Sequence, residues 1–118
     1  MKDMTTFEAL IAQANQLHLY EKLVKQLNKD LLLANINLEF NEEVPPTSLK
    51  LLLHKTIFKL IQEKFMEYLN LLYIIDVSEE KIKELDGADI MKLSEDVTFL
   101  ILKREWQKVY FKNYYSQK

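Results

Sequence analysis

The sequence predicts an all-α protein, an antiparallel bundle of about four long helical segments plus one short helix. Gly87 is the only glycine among 118 residues, and Pro45-Pro46 are the only prolines. Hairpins and tight turns draw on glycine at positive φ, where a Cβ clashes, and phosphate loops need it for close backbone approach. Apolar residues recur at three- and four-residue steps along most of the chain, the period of a helix with a buried face. A length of 118 residues with 48% hydrophobic content fits one domain, residues 1–118, that buries roughly two-thirds of its unfolded surface.

Thr5 and Glu8 read as a T-x-x-E capping box, in which each partner satisfies an amide the other leaves unpaired. Phe7, Leu10, Ala14 and Leu17 follow at helical spacing. A second stripe, Tyr20, Val24, Leu27, Leu31 and Ala34, is out of phase with the first and places a break or kink near His18. One kinked helix and two separate helices both stay open for residues 5–36. Glu21 and Lys25 form an i,i+4 pair away from the stripe. Asn35 to Pro46 reads as a polar, acidic loop.

Thr47 is the expected N-cap of the strongest element, a helix to about Ile75 that should be central to the bundle. Its stripe is Leu51, His54, Phe58, Ile61, Phe65, Tyr68, Leu72 and Ile75, widened by Leu49, Leu52, Leu53, Ile57 and Leu60 and later by Leu69, Leu71, Tyr73 and Ile74. A helix apolar on more than one face belongs inside a bundle or at a subunit interface. Asp76 or Ser78 caps a short helix through Leu85. Asp86-Gly87 then closes it in the left-handed conformation, so that Gly87→Ala should cost on the order of 1 kcal/mol. A turn or short helix leads to Leu93. Ser94, with Glu95 and Asp96 in the first turn, starts the last long helix, whose apolar stripes include Val97, Leu100, Ile101, Phe99, Leu102, Trp106 and Val109.

The composition excludes much chemistry. Without cysteine there is no disulfide framework and no thiolate metal site. A net charge of −2 gives no overall bias toward nucleic acid or membrane. The N-terminus carries Asp3 and Glu8 in place of an apolar leader, and no apolar run approaches the roughly 18 residues of a membrane span. The chain therefore reads as soluble and cytoplasmic.

No catalytic residue, metal ligand or cofactor is assigned. Glu-x-x-His and His-Glu-x-x-His spacings are missing, and Thr47, Ser78 and Ser94 stand where capping accounts for them. His54 is the only polar member of the long stripe. It reads either as a ligand- or proton-handling group in a pocket with Tyr68, or as a part-buried histidine with an internal partner.

Charge is unevenly distributed. Residues 76–96 hold eight acids and three lysines, whereas residues 97–118 hold five cations and one acid, interleaved with aromatics. Cations near a helix C-terminus complement its dipole, and the aromatics have a core to fill. The same segment also reads as a contact surface. Arg104, Trp106, Lys108, Tyr110 and Tyr114 are the candidate partner-binding residues, since Trp, Tyr and Arg dominate binding hot spots. Nucleic acid would bind them only weakly, given how few phosphates they could neutralise.

The stretches Leu69-Asn-Leu-Leu-Tyr-Ile-Ile-Asp-Val-Ser-Glu-Glu-Lys and Leu102-Lys-Arg-Glu-Trp-Gln-Lys-Val resemble a family of uncharacterised short all-helical bacterial proteins. The resemblance covers most of the chain and implies a bacterial, cytoplasmic protein, with no activity or site residue to transfer. The functional expectation is a non-enzymatic protein–protein interaction module, an adaptor or regulatory subunit, with a protein partner or a second copy of itself. A weak nucleic-acid or anionic-surface binder acting through the basic, aromatic C-terminal helix is the first alternative. A small ligand-binding or enzymatic bundle around His54 is the second.

Overall fold

The computed structural model describes residues 5–116; Asp3 and Lys118, which enter the readings above, lie outside them. The described residues form an all-α bundle. Its helices are α1 (Phe7–Gln16), α2 (Tyr20–Leu33), α3 (Pro46–Glu63), α4 (Phe65–Ile75), α5 (Glu79–Lys83) and α6 (Ile90–Ser116).

Three helices end in the same way. His18, Asn35 and Asp76 adopt φ of 58°, 59° and 69° just past α1, α2 and α4. The amide of the following residue then reaches back five residues: Leu19 to the Ala14 carbonyl, Ile36 to Leu31 and Val77 to Leu72, at 2.8–3.0 Å. Leu19, Ile36 and Val77 are all buried. Each is a Schellman turn whose trailing apolar residue plugs into the core. The break near His18 is thus a full turn between two separate helices.

Gly87 takes no part in this. It does not have positive φ, and a Cβ added to it would meet no atom within 4 Å. The expectation of a left-handed glycine closing the short helix is therefore wrong; the left-handed residue of that corner is Asp76, one helix earlier.

Several boundaries move for identifiable reasons. Thr6, not Thr5, caps α1, accepting a hydrogen bond from the Ala9 amide at 3.1 Å. Pro46 opens α3 from position N1, so its fixed φ serves where a Thr47 cap was expected. Of the two caps open for α5, Asp76 and Ser78, it is Ser78 that caps it, and α5 ends at Lys83 rather than Leu85. α6 starts at Ile90, because the Asp89 carboxylate accepts from the Met91 and Lys92 amides at 3.0 and 3.3 Å. Ser94 is instead fully buried within the helix.

The long helix expected over Thr47–Ile75 is two helices, interrupted at Lys64 (φ −143°, ψ 62°). Unbroken, it would run about 44 Å at about 1.5 Å per residue, longer than the 42 Å greatest dimension of the fold. The buried residues of α3 are Leu49, Leu53, Ile57 and Leu60, and the next step of four lands on Lys64. An ammonium group cannot take that core position unpaired. The break leaves Lys64 exposed and lets α4 bury Tyr68, Leu71, Leu72 and Ile75. The predicted stripe is correspondingly out of phase up to the break: Leu51, Leu52 and Phe65 are exposed, while Leu49, Leu53, Ile57 and Leu60 form the core.

The central element is α6, which packs against α1, α2, α3 and α4. It contributes Val97, Ile101, Leu102, Trp106 and Val109 to the core. The loop between α2 and α3 is pinned rather than free. The Asn28 side chain bonds both the amide and the carbonyl of Phe40 at 2.9 and 2.8 Å, with Phe40 itself buried. Lys25 pairs across to Glu42 in this loop at 3.8 Å.

Glycine at an exposed left-handed position relieves a Cβ clash worth about 1–2 kcal/mol, so His18→Gly should raise stability by about 1 kcal/mol. Gly87→Ala should be neutral or stabilising by up to about 1 kcal/mol, through lost unfolded-state entropy. Urea midpoints at unchanged m-value check both, and a Gly87→Ala loss above about 1 kcal/mol would contradict the geometry.

Candidate functional site

Consecutive residues in the middle of α6 point at three different helices, as the roughly 100° step per residue requires. Arg104 reaches the end of α4, where its Nε donates to the Asp76 carbonyl at 3.0 Å and its Nη2 to the Asp76 carboxylate at 3.1 Å. Glu105 points to α2. Trp106 points to α1, and its Nε1 donates to Gln13 Oε1 at 2.9 Å.

Glu105 is fully buried. Lys108 Nζ lies 3.3 Å from Glu105 Oε1 and donates to Asp30 Oδ2 at 2.7 Å. Gln26 donates to both oxygens of Asp30 at 3.3 Å. Neither Glu105 oxygen accepts a well-aligned hydrogen bond among the described residues. Burial raises the Glu105 carboxyl to about 9, the hydrogen bond and charge of Asp30 adding to the effect and Lys108 partly offsetting it. At neutral pH the raised Glu105 carboxyl is therefore protonated, beside the Asp30–Lys108 ion pair.

The candidate contact residues are distributed unequally. Trp106 is completely buried and so offers no surface, a correction to its expected role: a helix apolar on two sides put its largest side chain in the core. Arg104 is engaged by the exposed Asp76 carboxylate and Lys108 by the buried Asp30, so these two cations of the basic segment are already answered. Tyr110 is half-buried, 5.9 Å from the Trp106 ring, and stacks nearly parallel on the exposed Tyr114 at 6.4 Å.

His54 and Tyr68 do not line the grooves described below. His54 Nε2 lies 2.8 Å from Ser94 Oγ, and that hydroxyl donates to the Met91 carbonyl at 3.0 Å. Both contacts are satisfied when Nε2–H is the donor to Ser94. Tyr68 is buried against Phe65, ring centroids 5.4 Å apart, and its phenol is raised by burial. No group of three or more metal-ligating side chains is present among the described residues.

Two surface features were not assembled by sequence reasoning. Phe65, Met66, Leu69 and Tyr73 form a stripe along α4 and are 52%, 75%, 41% and 83% exposed. Leu69 and Tyr73 continue into a groove of about 550 Å³, floored by Leu72, Val77 and Ile82. Between α2 and α6, a second groove of about 340 Å³ is lined by Lys22, Lys25, Lys29 and Lys112, with Val109 at its base. The spacing of Lys22, Lys25 and Lys29 on one face of α2 is legible in the sequence; their meeting with Lys112 requires the fold. Comparison with protein-family models, curated proteins and solved structures finds no match to this chain. No helix among the described residues is long and apolar enough to cross a membrane.

An unfolded Glu105 titrates near 4.5 and the folded one near 9, so between those values the folded chain holds a proton that the unfolded chain has released. The group's stabilising contribution is full below the lower value and is lost as pH rises through the upper one. Glu105→Gln keeps the shape and the donor to Asp30 but does not titrate. Its melting temperature should match wild type near pH 5 and exceed it by at least about 5 °C by about pH 8.5. A gap that does not change with pH would show that Glu105 is ionised throughout.

Proposed function

We propose that the protein is a non-enzymatic protein–protein interaction module whose docking surface is the outer face of α4. The carrying observation is the stripe Phe65, Met66, Leu69 and Tyr73, four large apolar side chains left exposed in succession on one helix. Single exposed apolar residues are ordinary, but contiguous ones at helical spacing are the mark of a contact surface. The adjoining groove gives the stripe depth: Leu72, Val77 and Ile82 form its floor, and Asp76, Glu79 and Lys83 supply a polar rim. An apolar floor with a charged rim suits the apolar face of an amphipathic helix.

The first occupant to consider is a second copy of the chain. A two-fold axis beside α4 would set the stripe against itself, the commonest arrangement among soluble oligomers. The proposed setting is the bacterial cytoplasm, on the strength of the family resemblance carried by residues 69–81 and 102–109. Trp106, Arg104 and Lys108 hold the bundle together in this reading, and Tyr114 is the remaining exposed member of the C-terminal set.

Light scattering at micromolar concentration should give a dimer. Leu69→Lys and Tyr73→Lys should shift it to monomer with an unchanged circular dichroism spectrum, since both side chains already face solvent. A wild-type monomer at all concentrations overturns self-association, and a dimer untouched by both substitutions removes α4 as the interface.

A further inference from the structure

We propose that the groove between α2 and α6 binds a small polyanion carrying two or more phosphate groups, held by Lys22, Lys25, Lys29 and Lys112. α2 runs antiparallel to α6, since Asp30 near its end meets Lys108, while Lys22 near its start shares the groove with Ser116. Lys22, Lys25 and Lys29 descend one wall at steps of three and four, and Lys112 faces them from the other. Among the described residues, no carboxylate lines the groove.

Like charges at these spacings repel one another and weaken a helix. Among the described residues, neither Lys22, Lys29 nor Lys112 has a carboxylate within ion-pair distance; Lys25 alone has one, Glu42 at 3.8 Å. The nearest buried acid, Asp30, is neutralised by Lys108 and bonded by Gln26, itself a groove residue. Glu105 beyond it is held protonated. The cluster under the groove therefore cancels none of the lysines' positive field.

Shape and charge together select the ligand class. A monoanion would leave most of four ammonium groups unanswered, whereas a di- or triphosphate group brings a comparable negative charge. The groove's volume of about 340 Å³ lies within the range of small-molecule sites, about 300–1,000 Å³. Its lysines are exposed on two walls of one concave groove, whereas a membrane surface or an extended nucleic-acid backbone requires a broad, flat array. Gln26, Asn113 and Ser116 add neutral hydrogen-bonding groups along the walls.

The test is titration calorimetry of the full chain with inorganic tripolyphosphate, pyrophosphate and sulfate. Saturable one-to-one binding is expected, in the order tripolyphosphate, pyrophosphate, sulfate. It should weaken at least about tenfold as ionic strength rises from about 0.01 M to about 0.15 M, where the screening length falls from about 30 to about 8 Å. Lys29→Gln and Lys112→Gln, one from each wall, should each lower tripolyphosphate affinity about tenfold. Lys59→Gln, an equal charge change on α3 outside the groove, should leave it unaltered. Circular dichroism confirms that each variant is folded, and Lys22→Gln replaces any that is not. Absence of saturable binding at low ionic strength overturns the proposal, as does an equal loss in Lys59→Gln. Tighter binding of a single-stranded oligonucleotide or of anionic phospholipid vesicles through the same lysines overturns it in favour of a macromolecular anion.

Discussion

Glu105 lies at the middle of the one helix that α1, α2, α3 and α4 all touch, and a carboxyl there has few permitted states. Ionised and unpaired in the core it would be prohibitively costly. It is tolerated as a neutral acid beside Asp30, whose own charge is met by Lys108 at 2.7 Å. That arrangement ties one turn of α6 to one turn of α2. Arg104 and Trp106, its neighbours in sequence, tie α6 to Asp76 after α4 and to Gln13 of α1. Ser94 does the same for His54 of α3. Apolar stripes tolerate sliding between helices. Polar contacts between single atoms do not, and here each of the long packing partners has one. The register of the bundle, and with it the width and lining of the α2–α6 groove, follows from these contacts.

Chain reversal depends on a second economy. Three exits from helices need a left-handed residue, and none of them is glycine. Each carries the Cβ penalty and regains it through the backbone bond that follows and the burial of Leu19, Ile36 or Val77. Asp76 has a further partner, since Arg104 binds both its carbonyl and its carboxylate. The arginine thus holds the reversal after α4 in place while leaving the outer face of that helix uncovered.

What the sequence made legible, and what it did not, divides along the same line. Local signals were readable: the slip in phase at His18, the Ser78 cap, the polar loop before Pro46. Misreadings arose where two local solutions were equally good and packing chose. Asp89 and Ser94 are both fit to start α6, and burial of Ser94 against His54 decides for Asp89. Gly87 is the residue best suited to a left-handed turn, yet the turn falls at Asp76 because Val77 is the residue with a core to enter. The Lys64 break has no glycine or proline to announce it. It is visible only after Leu49, Leu53, Ile57 and Leu60 are known to face inward, since that phase brings a lysine to the core. Trp106 illustrates the same limit for function, because in a helix apolar on two sides an aromatic residue does not declare which side is covered.

The two candidate surfaces arise from those packing decisions rather than from any motif. Interrupting the helix at Lys64 sets the phase of α4 independently of α3, so that Tyr68, Leu71, Leu72 and Ile75 turn inward while Phe65, Met66, Leu69 and Tyr73 are left outside. The lysine groove forms because α2 must present Asp30 to Lys108. That requirement places Lys29, next to Asp30, and Lys25 and Lys22, about one and two turns earlier on the same helix, alongside the final turns of α6. Gln26 belongs to both sites, lining the groove and binding Asp30. The protonation state of Glu105 consequently matters beyond stability. While it is neutral, the ammonium of Lys108 suffices for Asp30, and the cluster takes nothing from the field of the lysines above, of which Lys25 alone has a carboxylate partner, Glu42. Ionising it would place a second negative charge beneath them and oppose the anion the groove is shaped to hold.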